Sequence, residues 1–562
     1  MGLFGTIQQS AGALQVAQIG LQVVGNNIAN ANTPGYLRQQ LQQSSAEAVR
    51  EGGLLKGAGV RPTGIVQVVD DQLAERMFNA KTAVSGAETL NRAYSQLEEL
   101  TGDLNNAGLN QQFSLFNNAL HELSTQPGDS SLRDFVILQA ESLASNIRLT
   151  RENAVSRSDL WNGDLEQMAT DINRLTERIA KLNLDIATIE GGGLLQSDAT
   201  GLRDQRYRDL EELSQYMNLN FQEQESGAIA VFVGGDYLIS NGHRREVGTA
   251  YNSQTGGSEV RILETDSPLQ ATSGRLAATI QARDSVFGDY IGDINAMASA
   301  LIQSVNEVHS QGQGRDGFQS MLSTVVADVG VPLKNANLAT VPRNGSFDMN
   351  VIDEDGELIS SHRIDVKILS QVTDSTVQSI VADINAIDGI NAAVTSSGQI
   401  QINSDSPTSG FTFGEDTSGF LAAAGINTFF SGRDAVDIDI NSQLKGNPDF
   451  LAISRGGIGE DTDVLTELID IVDKPMSSLG GNSVRDVYEQ AVTGLGQKIS
   501  LQSSATEGLN NFYATLQSQH LAITGVNIDE ESIKMITYQR AFQASSRVIS
   551  TASEMLDLLV TL

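Results

Sequence analysis

The stretch Asn26-Asn27-Ile28-Ala29-Asn30-Ala31-Asn32-Thr33-Pro34-Gly35-Tyr36-Leu37-Arg38-Gln39-Gln40 sets four asparagines in seven positions and closes on Thr-Pro-Gly. Asparagine tolerates the left-handed conformation and hydrogen-bonds its own backbone. Thr33, standing before Pro34, is pushed towards extended geometry. Local physics therefore reads the end of a helix. Upstream, Ile7, Leu14, Leu21 and Ile28 fall seven apart, and Leu3, Ser10, Ala17 and Val24 fill the companion column of a heptad. The remaining faces carry Gln8, Gln9, Gln15, Gln18 and Gln22, with no charge before Arg38. A surface helix normally turns charges to water. Uncharged amides in their place predict a face that other protein covers.

The far end of the chain repeats the pattern. Ile528, Met535, Phe542, Ile549 and Leu556 are seven apart, with Tyr538, Ser545, Ala552 and Leu559 beside them. Between the ends, about 70–218 reads as helix. Its clearest part is the seam Leu165, Met168, Ile172, Leu175, Ile179, Leu182, Ile186 and Ile189, which stops at Gly191-Gly192-Gly193. Short strands with glycine turns follow from Asn220 to about 268. Helix returns at Gly274 and runs through Val305, a mixed region fills about 320–452, and helix resumes near Asp463. The expected fold is α+β and multidomain, with terminal coiled-coil helices, a long helical-bundle body and β-rich inserted domains. Residues 1–60 and 525–562 form the terminal assembly domain. Residues 61–219, 270–319 and 453–524 form the helical body, 220–269 a small β insertion, and 320–452 a mixed α/β outer insertion. Neither terminal helix can bury its seam alone, so both arms are expected to order on assembly.

Composition narrows the function. A chain of 562 residues supports several domains, and a net charge of −33 argues against nucleic acid and anionic membranes as partners. With no cysteine, disulfides and thiolate chemistry are excluded. The N-terminal segment lacks a basic region and has glutamines among its apolar residues, which predicts neither a Sec-type signal nor a membrane-inserted span.

The search for chemistry returns near-misses. His121-Glu122-Leu123-Ser124-Thr125 starts like the zinc-protease pattern but puts Thr125 at the second ligand position. Gly312-Gln313-Gly314-Arg315-Asp316-Gly317 has the spacing of a phosphate-binding loop, yet it follows a helix rather than a strand. Asp353-Glu354-Asp355-Gly356 hints at a calcium loop, but that register puts Val351 first and His362 at the bidentate position, so a hairpin turn is expected. His243-Arg244-Arg245 reads as a solvated basic patch. No catalytic, cofactor or metal site is assigned, and the chain is expected not to be an enzyme.

The asparagine stretch through Tyr36 resembles the N-terminal signature of the bacterial flagellar rod, hook and hook-associated proteins. Gly525-Val526-Asn527-Ile528-Asp529-Glu530-Glu531, with Tyr538-Gln539-Arg540-Ala541-Phe542-Gln543-Ala544-Ser545-Ser546-Arg547, resembles the matching C-terminal signature. Gly274-Arg275-Leu276-Ala277-Ala278, Val305-Asn306-Glu307-Val308-His309 and Gly425-Ile426-Asn427-Thr428-Phe429-Phe430-Ser431-Gly432 are similar to its hook-associated members. Leu37 departs from the small polar residue usual after the tyrosine. The resemblance implies a structural part of the hook-filament junction, exported through the flagellum's own type III apparatus. Its place is extracellular, with a transient cytoplasmic stage. The implied partners are further copies in a ring or helical layer, the hook protein, the next junction protein (hook-associated protein 3), and a cytoplasmic export chaperone on the C-terminal helix. Assembly is assigned to Ile7, Leu14, Leu21, Ile28, Asn26, Asn27, Asn30, Asn32, Pro34, Gly35, Tyr36, Ile528, Met535, Phe542, Ile549 and Leu556. Alternatives are another axial protein of the flagellum, a distal rod protein or a hook protein, the latter's middle being expected to be β-rich, and an enzyme carried in the outer insertion.

Overall fold

The computed structural model describes residues 2–51, 54–101, 108–190, 199–240, 242–253, 256–369, 371, 374–455 and 461–561. The expected stop at Gly191–Gly193 and the turn residue Asn241 lie outside them. Helix α1 (Leu3–Ala29) leads into strands β1 (Gln39–Ser45), β2 (Val49–Glu51), β3 (Leu54–Lys56) and β4 (Val60–Gln67), of which β1 and β4 pair antiparallel. Helices α2 (Asp71–Thr101), α3 (Leu109–Thr125), α4 (Ser130–Glu190) and α5 (Thr200–Ser214) follow. Strands β5 (Asn220–Glu223), β6 (Ile229–Val233), β7 (Asp236–Ser240) and β8 (His243–Arg244) make one meander. A second comprises β9 (Val247–Asn252), β10 (Gly257–Ile262) and β11 (Ser267–Pro268).

Helix α6 (Gly274–Gln281) passes through a π-helical segment, Ala282–Phe287, into α7 (Gly288–His309). The helix expected from Gly274 through Val305 is there, with this π-helical segment inside it. The rest comprises β12 (Ser320–Leu322), β13 (Gly345–Asp353), β14 (Leu358–Val366), α8 (Val377–Asn385), β15 (Ile390–Val394), β16 (Ile400–Ser404), β17 (Ser409–Gly414), α9 (Phe420–Ala424), β18 (Phe430–Ser431), β19 (Asp439–Ile440), α10 (Ser442–Gly446), α11 (Asp463–Asp470), α12 (Val484–Thr524) and α13 (Ile528–Thr561).

These elements gather into two compact units, 1–93 with 160–284 and 500–562, and 94–159 with 285–499. The division cuts across the expected body, because α2, α4 and α12 each contribute to both. In the first unit the seam of α4 is buried from Leu165 to Ile186, while Ile189 is exposed. Its partner is not a second coiled-coil helix. Leu210 and Leu213 of α5, Val231 and Val233 of β6, Val260 and Ile262 of β10, and Leu276 of α6 close the same core. The small β region is thus continuous with the helical core. Asn173 and Asn183 of α4 bind the strands directly, exchanging hydrogen bonds with the backbones of Val247 and Ile229 at 2.7–3.1 Å.

In the second unit, β14-β13-β17 and β12-β16-β15 share an aromatic core around Phe347, Phe411, Phe413 and Phe420, sealed by Ile380 and Ile384 of α8. Asp353 ends β13, and its carboxylate accepts the amides of Asp355 and Glu357, which makes the acidic run a hairpin turn. A buried clamp holds Asn427–Phe430. Asn306 accepts the amides of Phe429 and Phe430 (2.9 and 2.8 Å) and donates to the Phe430 carbonyl, while His309 lies between the Asn427 carbonyl (2.9 Å) and the Ala452 amide (3.0 Å). A Cβ at Gly314 would overlap the Asp449 carbonyl, so close packing explains that glycine-rich loop.

Candidate functional site

The two chain ends meet in the first unit, so each terminal helix has the other to cover its stripe within one chain, and the expectation that both arms order only on assembly is corrected accordingly. Helix α1 packs along α13 and also touches β1 and β4. Two glycines let it approach. A Cβ at Gly12 would stand 2.6 Å from the Val60 carbonyl, and one at Gly20 the same distance from the Tyr538 ring. The buried stripe of α1 is Val16, Ala17, Gly20, Val23, Val24 and Asn27. Ala17 and Val24 were in the expected companion column. Ile7, Leu14, Leu21 and Ile28 are half-buried on its flank, so the seam is rotated towards the smaller residues. On α13, Met535, Tyr538, Ser545, Ile549, Ala552 and Leu556 are buried or half-buried, as the heptad orders them, whereas Ile528 and Phe542 are exposed.

The asparagines form a hydrogen-bonded node rather than a mere helix end. Asn27 is 0% exposed. Its amide donates to the Gln39 carbonyl (2.9 Å) and to Glu531 Oε2 (3.0 Å), and its Oδ1 accepts the Gln39 amide (3.0 Å) and the Tyr36 hydroxyl (2.8 Å). Four polar groups from the turn, β1 and α13 thus converge on one side chain of α1. Glu531 is 1% exposed and also pairs with Lys534 at 2.6 Å. Burying a carboxylate is costly unless its lone pairs are filled, and Asn27 with Lys534 fills them. Asn26 donates to Gln39 Oε1 (3.2 Å), and Asn30 donates back to the Asn26 carbonyl and Oδ1 (both 3.0 Å).

Thr33–Tyr36 closes a turn, the Tyr36 amide reaching the Thr33 carbonyl at 3.2 Å. Pro34 presets the first central residue, and Gly35 supplies φ +73° at the second. Asn32 and Pro34 are exposed beside it. The turn delivers Arg38 to α12 and α13: its amide donates to the Thr524 carbonyl (2.8 Å), and its guanidinium lies 3.5 Å from Glu530. Gly525 interrupts the helical run. Asn527 then caps α13 by accepting the amides of Asp529 (3.0 Å) and Glu530 (3.3 Å), and Asp529, Glu530 and Glu531 suit the positive helix start.

Residues that the sequence reading missed fasten this joint to α5. Asp204 Oδ1 accepts the Leu37 amide (3.3 Å) and the Gln67 side chain (2.5 Å), and Gln39 donates to Thr200 (3.0 Å). Burial pushes the Asp204 pKa up to about 6 against the opposing Leu37 amide and Arg208 charge. Burial also raises the Tyr36 hydroxyl, keeping it a neutral donor. His520 stacks on Tyr207 and is bonded to its hydroxyl (3.0 Å), and burial lowers its pKa. No local signal marks Asp204 or His520, whose partners are remote in sequence.

The other sequence candidates sit elsewhere. Thr125, at the second-ligand position, turns its hydroxyl to the Glu122 carbonyl (2.7 Å). Arg244 and Arg245 are matched by Glu246 (2.7 Å) and Glu264 (3.0 Å). Among the described residues no group of three His, Asp or Glu is placed to hold a metal ion, and no helix is long and apolar enough to cross a membrane.

Comparison with known proteins agrees with this geometry. Residues 94–321 match the helical domain of the flagellar hook-associated protein FlgK, 517–562 the C-terminal region of flagellar basal-body rod proteins FlgEFG, and 7–36 the flagellar basal-body rod protein family. Flagellar hook-associated protein 1 of Salmonella typhimurium is 22% identical over 572 residues, covering 99% of each chain. That of Escherichia coli K12 is 23% identical over 581 residues at the same coverage. That of Bacillus subtilis is 26% identical over 349 residues, 55% of this chain and 67% of the relative. The flagellar hook junction protein FlgK of Burkholderia pseudomallei shares the fold, with a TM-score of 0.51 at 14% identity over 80% of this chain and 100% of that one. Rod-type ends that clasp each other thus flank a hook-associated helical region, and the chain is similar from end to end to flagellar hook-associated protein 1 of other bacteria.

Proposed function

We propose that this chain is a structural component of the bacterial flagellum, forming the layer that joins hook to filament. One observation carries the reading: Asn27 and Glu531, 504 residues apart, are bonded to each other, so both chain ends form one element. That element presents an amide-rich face without charge, including exposed Gln8, Gln15, Gln18 and Gln22. Such a face suits burial against neighbouring subunits, where an unpaired charge would be costly. Its neighbours are further copies, the hook protein and the next junction protein, and its working place is outside the cell. Before export, the exposed Phe542 and Ile528 on α13 offer an apolar stripe to a chaperone groove. No catalytic role is assigned. The test is deletion of the gene. Cells should keep hooks, lose filaments and recover them when the chain is supplied; filaments of normal number in the deletion strain overturn the reading.

A further inference from the structure

The joint of the turn and β4 with α5 buries a carboxylate that is only half satisfied. Asp204 is 6% exposed. Both donors that reach its side chain, the Leu37 amide (3.3 Å) and the Gln67 side chain (2.5 Å), bind Oδ1. Among the described residues Oδ2 receives no donor and no cation pairs with the carboxylate. Arg208, one turn along α5, gives its Nε to the Asp204 backbone carbonyl instead (3.3 Å). Other buried acids are compensated. Glu531, in the same joint, has Asn27 and Lys534. Asp416, equally buried, accepts the Ser418, Gly419 and Leu421 amides and the Ser418 hydroxyl through both of its oxygens. A buried charge with unfilled lone pairs is unfavourable, and Asp204 carries that penalty.

The surroundings leave the charge largely unrelieved. Its charged or titratable neighbours are Arg208 on its own helix and Tyr36 in the turn, whose hydroxyl burial keeps neutral. Strand β4 contributes neutral Gln67, and the end of α1 neutral Asn26 and Asn30. Helix α13 brings Glu531 towards Tyr36, a further negative charge. A cavity of about 280 Å³, lined by Asn30, Thr33, Thr200 and Arg208 among others, opens beside Asp204, so a proton reaches it without unfolding.

We propose that Asp204 is a pH-sensitive latch, holding the turn and β4 to α5 more firmly when its carboxyl is protonated than when it is ionised. Protonation removes the buried charge and leaves Oδ1 accepting from Leu37 and Gln67, while the new hydroxyl at Oδ2 donates into the cavity. Burial raises the carboxyl from 3.8 to about 6 in the closed joint. The closed joint therefore favours the proton-bound form. The latch is at full strength below about pH 4 and weakens as pH rises through about 6. Between about pH 5 and pH 7 its opening becomes about tenfold more frequent. The latch is independent of the junction-layer role.

Hydrogen exchange of the full chain tests this, read at the amides of β1 and β4 and corrected for intrinsic rates. Asp204→Asn keeps the shape and the Oδ1 acceptor but cannot ionise. The opening frequency of the unaltered chain, divided by that of Asp204→Asn, should rise about tenfold from about pH 5 to pH 7. The amides of the buried seam, 165–186, should exchange alike in both chains. Taking the ratio cancels His520, which titrates in the opposite sense at the same joint and is present in both. Where Asp204→Asn disturbs the seam, Asp204→Ser, a second neutral acceptor, takes its place in the same ratio. A ratio that stays constant with pH, or falls as pH rises, overturns the latch.

Discussion

Replacing Asn27 by Leu keeps the volume of the node and removes its polarity. Three neutral hydrogen bonds go, to the Gln39 carbonyl, from the Gln39 amide and from Tyr36, together with the charge-assisted bond to Glu531. At about 1 kcal/mol for each neutral bond and about 1.5–3 for the charged one, the gross loss is roughly 5 kcal/mol. Glu531 keeps Lys534, and water entering the opened joint satisfies part of what remains, so a net loss of roughly 3 kcal/mol is expected. That corresponds to about a hundredfold more frequent opening. The effect should be confined to the arm, because Asn27 touches α13 and the strand after the turn, not the core around Ile172 and Ile179. Hydrogen exchange of the free chain reads this directly. Amides of 3–29 and 528–561 should exchange about a hundredfold faster in Asn27→Leu, while those of 165–186 are unchanged. Exposed Asn32→Leu serves as the control and should change neither. Unaltered arm exchange, or equal acceleration in arm and core, refutes the node as the lock between the chain ends.

Ile179→Ala, at a fully buried position of α4, should lower stability by about 2–5 kcal/mol in denaturant unfolding. Half-buried Leu21→Ala should barely move the same transition yet weaken attachment to the hook; equal losses would contradict the division between core and arm. Bulk at Gly20 should be tolerated only if Tyr538 yields: Gly20→Val is expected to abolish filaments with an intact core, and adding Tyr538→Ala to restore them in a motility assay. His309 is fully buried between two backbone groups, and burial lowers its pKa from 6.5 to about 4. Above 6.5 both states are neutral and no stability is lost. Below it the unfolded chain takes up a proton that the folded chain refuses, so roughly 3 kcal/mol disappears by about pH 4. Urea titrations between pH 7 and 4 should show that slope and its absence in His309→Gln. Phe542→Asp should abolish capture by the export chaperone in a pull-down, while Arg540→Ala and Arg547→Ala retain it; the reverse result would mean recognition by charge.

Periodicity and turn chemistry are local, and they were legible in the sequence. The heptads of α1 and α13, the seam from Leu165 to Ile186, the turn at Thr33–Tyr36 and the hairpin at Asp353–Gly356 each follow from residues within a few positions of one another. Four asparagines and a chargeless helix also marked the segment that became the candidate site. What each face meets was decided only by the tertiary structure. The α4 seam has the spacing of a coiled coil but closes on two small sheets and α5, because a heptad specifies an apolar stripe and not its partner. The α1 seam rotates towards Ala17, Gly20 and Val24 because Tyr538 and Val60 press close, a constraint carried by residues far along the chain. Strands β1 and β4 escaped notice because their half-polar residues give no clean alternation and their pairing depends on the packing of α1. Asn27 was singled out by composition, but only folding brings Glu531 to it, since a hydrogen bond across 504 residues leaves no trace in either neighbourhood.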